Sequence, residues 1–119
     1  SINYKAHAKV FKAFCDEKRL RILALLCSGE KCACVLQEQL GFSQSGLSYH
    51  MKILVESGVV KSRQEGKWTH YKISAKGSAY AKALLKRLTT PDDALEETAA
   101  ANRGHLTDDF LQAEYINNI

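Results

Sequence analysis

The sequence predicts a mainly α-helical chain with one β-hairpin, an α+β arrangement of the winged helix-turn-helix type. Three observations support this. Four segments with helical apolar spacing run from the N-terminus to Gly58. The pattern then changes across "VVKSR" and "WTHYKI", two short strands joined at Gln64-Glu65-Gly66-Lys67. A last long helical stretch, "AKGSAYAKALLKRL", follows the hairpin.

The first helix is expected over about residues 3–14, with Val10, Phe11 and Phe14 on its apolar side. Asp16 is a plausible N-cap or first-turn acid of the second helix, whose buried stripe is read as Leu20, Leu23, Leu26 and Cys27, with Gly29 as its stop. A short third helix is expected over about 32–40, ended by Gly41. Ser43 is a good N-cap for the fourth, which closes before Gly58. Thr90-Pro91 ends the last long helix, and "DDALEETAAANRG" and "TDDFLQAEYINNI" could each form another short one.

Charge is unevenly spread along the 119 residues. Residues 1–88 hold 16 Lys/Arg against 6 Asp/Glu, a net +10, whereas residues 89–119 hold 1 against 7, a net −6. A basic body suits a polyanion such as double-stranded DNA, although an unevenly charged solvated surface would look the same. No apolar run approaches a membrane span, and the basic, polar N-terminus has no signal-like apolar core. A cytoplasmic location is therefore expected, with the four cysteines as thiols and no membrane partner. No C-x-x-C recurs, no Ser-His-Asp set or Gly-rich phosphate loop is present, and a non-enzymatic chain with no required cofactor is expected.

On the fourth helix, stepping about 100° per residue puts Leu47, Met51, Leu54 and Val55 on one side. Ser45, Tyr49 and Lys52 fall on the other, with Ser48 at the border. That outer face is short, polar and nearly free of acids, so it suits the major groove. Ser43, Gln44, Ser45, Ser48, Tyr49 and Lys52 are the candidate DNA contacts, and Gln44 is the best base reader because its amide can pair with adenine. The hairpin adds Lys61, Arg63, Lys67 and His70 as a basic wing for phosphate or minor groove. His50 falls beside the core stripe and reads as structural, and Trp68 and Tyr71 as packing the hairpin onto the helices.

"FCDEKRLRILALL", "CAC", "FSQSGLSYHMKILVESGVV" and "EGKWTHYKIS", occurring in register over about residues 8–75, resemble the ArsR/SmtB family of metal-sensing bacterial repressors. The resemblance implies a homodimeric repressor on an inverted-repeat operator, released by an inducer. It implies a winged helix-turn-helix DNA-binding and dimerisation domain over 1–90, with 91–119 as an acidic helical extension or tail. The first and last long helices would form the dimer interface and bury Val10, Phe11, Tyr80, Leu84 and Leu85. In arsenite- and antimonite-responsive members the third helix carries C-V-C-D-L-C. Cys32 and Cys34 match its first two cysteines, while Gln37 stands at the third and Val35 at the aspartate.

The inducer so implied is As(III) or Sb(III), or a trivalent organoarsenical, held by Cys32 and Cys34. Residues two apart on a helix point away from each other, so binding is expected to unwind the start of the third helix and move the fourth. Cys15 and Cys27 are the candidates for a third sulfur, but they lie 12 residues apart at opposite ends of one helix, about 18 Å, so only one can join. Cys27 also reads as a buried core thiol and Cys15 as a bystander beside a cap. Two thiols suffice for a methylated arsenical or for arsenite that keeps a solvent ligand. Cadmium- and lead-responsive relatives add N-terminal cysteines, and none precedes Cys15. Zinc- and cobalt-responsive relatives carry D-x-H and H-x-x-E on the last long helix, which has no Asp, Glu or His here. His105, Asp108, Asp109 and Glu114 could gather an ion, but an acidic capped helix explains them more simply. The alternatives are a thiol-redox or sulfide-responsive repressor of the same fold, a cadmium/lead-type sensor, and a thiol oxidoreductase. The missing C-x-x-C and βαβ order weigh against the last.

Overall fold

A computed structural model describes residues 2–93. Helix α1 spans Tyr4–Lys12, and Asn3 caps it by accepting from the Ala6 amide at 2.9 Å. It stops at Lys12, so Phe14 lies in the turn beyond it and is partly exposed. Helix α2 (Glu17–Leu26) starts at the expected cap: Asp16 Oδ1 accepts from the Lys18 amide at 2.7 Å. The aligned amides hold its carboxyl below the usual carboxylate range.

Helix α2 buries Arg19, Ile22 and Leu26, so Leu26 alone of the expected stripe is fully buried. Leu20 and Cys27 are exposed and Leu23 is half-buried. "EKRLRILALL" is apolar around most of its circumference after the first turn, so two stripes fit the spacing. The winning one carries an arginine, which spacing alone rejects.

Strand β1 (Lys31–Cys32) precedes α3 (Ala33–Leu40), which Gly41 ends in the left-handed region at φ 69°. Cys32 is extended, at φ −70° and ψ 147°, and lies outside the helix. Helix α4 (Gln44–Glu56) begins at Ser43, whose hydroxyl oxygen accepts from the Gly46 amide at 3.0 Å. Strands β2 (Val60–Glu65) and β3 (Trp68–Ile73) then form the hairpin. Their register runs from Val60 opposite Ile73 to Glu65 opposite Trp68, so the loop is only Gly66-Lys67. Strand β1 adds to the free side of β3, with Lys31 opposite Tyr71 and Cys32 opposite His70, giving the antiparallel order β1-β3-β2.

Helix α5 spans Ala75–Leu88 and enters through Ser74, whose hydroxyl accepts from the Gly77 amide at 3.0 Å. Gly77 packs directly on the α4–β2 turn, where a Cβ would lie 1.7 Å from the Gly58 carbonyl oxygen. One core joins the elements. Ile22, Leu36, Met51, Leu54, Val60 and Leu84 are its largest fully buried side chains. Each contributes about 1.5–3 kcal/mol of burial.

The chain divides by its internal contacts into units Ser1–Leu85 and Lys86–Ile119, with α5 running across the division. In the described part of the second unit, the Thr90 hydroxyl donates to the Lys86 carbonyl. The two short helices expected after Pro91, and His105, Asp108, Asp109 and Glu114, lie outside the described residues. No helix among the described residues is long and apolar enough to cross a membrane.

Candidate functional site

Helix α4 presents the face its spacing predicts. Leu47, Met51 and Leu54 are buried, while Gln44, Ser45, Ser48, Tyr49 and Lys52 are exposed. Ser43 is also exposed, but its oxygen is engaged as the cap. Tyr49 stands 62% exposed, so a large aromatic hydroxyl projects from the outer face without a covering element.

His50 is buried and fixes how α4 sits. Arg19 Nη1 donates to His50 Nδ1 at 2.9 Å, which places the imidazole proton on Nε2. The same guanidinium donates to the Lys12 carbonyl at 2.9 Å and to Cys15 Sγ at 3.7 Å. Arg19 thus ties the end of α1 and the start of α2 to the reading helix. Burial holds the His50 pKa below its ordinary value, with Arg19 and Lys18 pushing the same way against Asp16. Arg19 went unnoticed in the sequence because a charged residue in a helix ordinarily marks the solvent side.

The wing pairs two of its expected DNA contacts with acids and differs from expectation at Trp68. Arg63 is held by a two-nitrogen contact to Glu30, with Nη2 at 2.7 Å and Nε at 3.0 Å, and its Nη1 reaches Glu65 at 3.1 Å. This pairing lowers the Glu30 pKa and raises that of Arg63. His70 is half-buried, with Nε2 3.4 Å from the same Glu65. Trp68 does not pack the hairpin onto the helices; it stands 50% exposed at the hairpin tip, with the Lys67 ammonium 5.4 Å from its ring centre. Tyr71 does pack against the core. Lys61 and Lys67 are exposed.

The structure brings Cys32 and Cys34 together. Their sulfurs are 2.9 Å apart, with the Cys34 thiol donating to Cys32. No helix need unwind for this, because Cys32 lies in β1 and only Cys34 is in the first turn of α3. The hydrogen bond lowers the Cys32 pKa, helped by the Cys34 and Val35 amides, and raises that of Cys34. The pair therefore loses its first proton readily and its second reluctantly.

Cys15 and Cys27 do not join the pair: among the described residues no three His, Cys, Asp or Glu side chains gather into an ion site. Cys27 caps the end of α2 and is exposed, so it is not a core thiol. Cys15 is exposed beside Arg19 and donates to the Lys12 carbonyl at 3.5 Å.

A capped, outward-facing helix beside a basic three-stranded wing defines a DNA-binding transcriptional regulator rather than an enzyme. The sequence profile of the bacterial regulatory proteins of the arsR family matches residues 16–62. The arsenical resistance operon repressor of Staphylococcus xylosus is 38% identical over 91 residues, covering 76% of this chain and 88% of that protein. A crystal structure of a possible transcriptional regulator for arsenical resistance matches with a TM-score of 0.61 at 28% identity, over 78% of this chain and 96% of that one. A homodimeric winged helix-turn-helix domain from Mycobacterium bovis, of a possible ArsR-family regulator, matches with a TM-score of 0.60 at 29% identity, over 71% and 79%. The chain belongs to the ArsR family and is a transcriptional repressor of that family.

Proposed function

We propose that the chain represses as a homodimer on an inverted-repeat operator and releases it when trivalent arsenic or antimony bridges Cys32 and Cys34. The observation that carries this reading is the 2.9 Å approach of two thiols, one of them predisposed to ionise. Soft ions prefer thiolates. With metal–sulfur bonds of ~2.3 Å and a pyramidal angle near 95°, two sulfurs must stand about 3.4 Å apart. Binding therefore opens the pair by roughly half an ångström.

That opening acts at a junction. Cys32 is bonded into the wing sheet opposite His70, and Cys34 begins α3, whose far end leads through Gly41 into α4. The ligand thus pushes on the wing and on the reading helix from one point. DNA holds both in place, so the two occupants oppose each other. Gln44, Ser45, Ser48, Tyr49 and Lys52 would face the major groove, and Lys67 and His70 the backbone, with Arg63 held off it by Glu30. Cys32 and Cys34 would supply two bonds to trivalent arsenic, and hydroxide or carbon would take the third.

A second copy would cover the exposed Phe14 and Leu85, which line an apolar hollow of about 410 Å³, and the exposed Tyr80 on α5. Val10 and Leu84 were expected at that interface, but they are already buried within one subunit. The same thiol–thiol contact favours a second reading, in which peroxide or a polysulfide, itself reduced to water or to sulfide, oxidises the pair to a disulfide in place of the metalloid. To test the choice, DNA selected from a random pool by the reduced chain is followed by fluorescence anisotropy against arsenite, antimonite, cadmium, peroxide and polysulfide. Release by arsenite or antimonite at stoichiometric levels is expected. Release only by peroxide or polysulfide moves the assignment to the redox reading, and release only by cadmium moves it to a soft divalent ion.

A further inference from the structure

Cys34 lies in the wall of a cleft of about 350 Å³ between α3, the start of α4 and the hairpin tip. Leu47, Trp68 and Tyr71 give the cleft an apolar, aromatic side, and Gln37, Ser48 and Thr69 give it a hydrogen-bonding side. Trp68 is half exposed, and Lys67, which also lines the cleft, holds its ammonium 5.4 Å from the indole ring centre.

Trivalent arsenic bonded to two sulfurs has one substituent left. Because Cys34 lines the cleft, a substituent directed away from the two sulfurs has this space beside it. A cavity of ~150 Å³ accepts benzene, so this cleft holds one substituted aryl ring, whereas a methyl group leaves most of it to water. The mixed lining suits a ring that carries hydroxyl or amino groups.

We infer that this cleft is a subsite for the aryl group of a monosubstituted trivalent arsenical, a preference that rests on the arsenical reading above. The reaction is a ligand exchange. An aryl arsonous acid loses two As–O bonds and gains two As–S bonds to Cys32 and Cys34. Each departing hydroxide leaves as water, taking a proton from the Cys34 thiol or, where Cys32 is already ionised, from solvent. Arsenic stays trivalent and nothing is oxidised. Gln44 and Ser48 also line the cleft, so the ring would sit beside the DNA-facing start of α4.

The test uses the full chain with Cys15→Ser and Cys27→Ser, kept reduced by a phosphine. It is titrated with phenylarsine oxide and with methylarsonous acid. Trp68 is the sole tryptophan and reports on the cleft directly. Affinities are divided by those of the same reagents for ethanedithiol, which removes their intrinsic difference. Burying about half of an aryl ring is expected to favour phenyl by ~10-fold, with a change in Trp68 emission that methyl does not produce. Gln37→Phe, which puts a ring into the cleft, should abolish that preference and leave methyl binding unchanged. Equal normalised affinities, with both reagents bound by the two thiols, would overturn the subsite while leaving the thiol site standing. No binding of either reagent would overturn the arsenical reading and the subsite with it.

Discussion

Glu30→Gln should tighten DNA binding without touching the reading helix. Glu30 holds the Arg63 guanidinium through two nitrogens, at 2.7 and 3.0 Å, and Glu65 adds a contact at 3.1 Å. Arg63 is about half exposed, so the pair is screened by water and its loss should barely move the melting temperature. What changes is the number of cations free to meet phosphate. Each phosphate neutralised steepens the dependence of log K on log salt by ~0.9, so two wings per dimer add ~1.8. Between 50 and 200 mM salt that is about a 12-fold larger loss of affinity than for the parent chain. Anisotropy titrations on one duplex at four salt concentrations measure the slope. Glu38→Gln is the control: Glu38 is exposed on α3 and gives the same change of charge without releasing Arg63. An unchanged slope for Glu30→Gln, or the same slope for both variants, would show that Arg63 does not reach DNA.

Four further outcomes are expected. Gly77→Ala puts a Cβ 1.7 Å from the Gly58 carbonyl oxygen and must force backbones apart, at a cost of ~3 kcal/mol in urea unfolding. Gly46→Ala meets only the Ser43 hydroxyl, at 2.9 Å, and should change stability by less than ~1 kcal/mol. His50 has its pKa lowered by folding, so its contribution is complete above the ordinary imidazole value of about 6.5 and is lost as pH falls through the folded value. Melting temperature should therefore drop from pH 7 to pH 5 by more in the parent than in His50→Gln; equal drops would remove His50 from the acid response. Cys32 should be alkylated by iodoacetamide faster than Cys34 near pH 7.5, because its thiolate is favoured. Peptide mapping reads the ratio, and Cys34→Ala, which removes the donor, should slow Cys32.

Some of this was legible before any coordinates. The reading helix was, because one amphipathic pattern fits "SQSGLSYHMKILVESG" and both its ends carry strong signals: Ser43 accepts at the start and Gly58 turns the chain at φ 83° after the end. Strand β1 was not. Two residues have no measurable period, and Lys31–Cys32 becomes a strand only because β3 offers it a free edge. That single omission misplaced Cys32 on a helix and made the thiol pair look strained, when the backbone already brings the sulfurs together. Glu30 and Arg63 meet across 33 residues of sequence, where charge alone marks Arg63 for phosphate. Arg19 was hidden by its own charge, since nothing in "DEKRL" reveals that His50 waits as an acceptor inside.

One comparison bears most directly on the thiol pair as the switch. DNA release by arsenite is followed for the parent chain, Cys32→Ser, Cys34→Ser, and the double variant Cys15→Ser with Cys27→Ser. Release from the parent and from the Cys15/Cys27 variant at equal arsenite, with Cys32→Ser and Cys34→Ser holding DNA throughout, is the predicted result. Release that survives loss of Cys32 or Cys34, or disappears with Cys15 and Cys27, would contradict it.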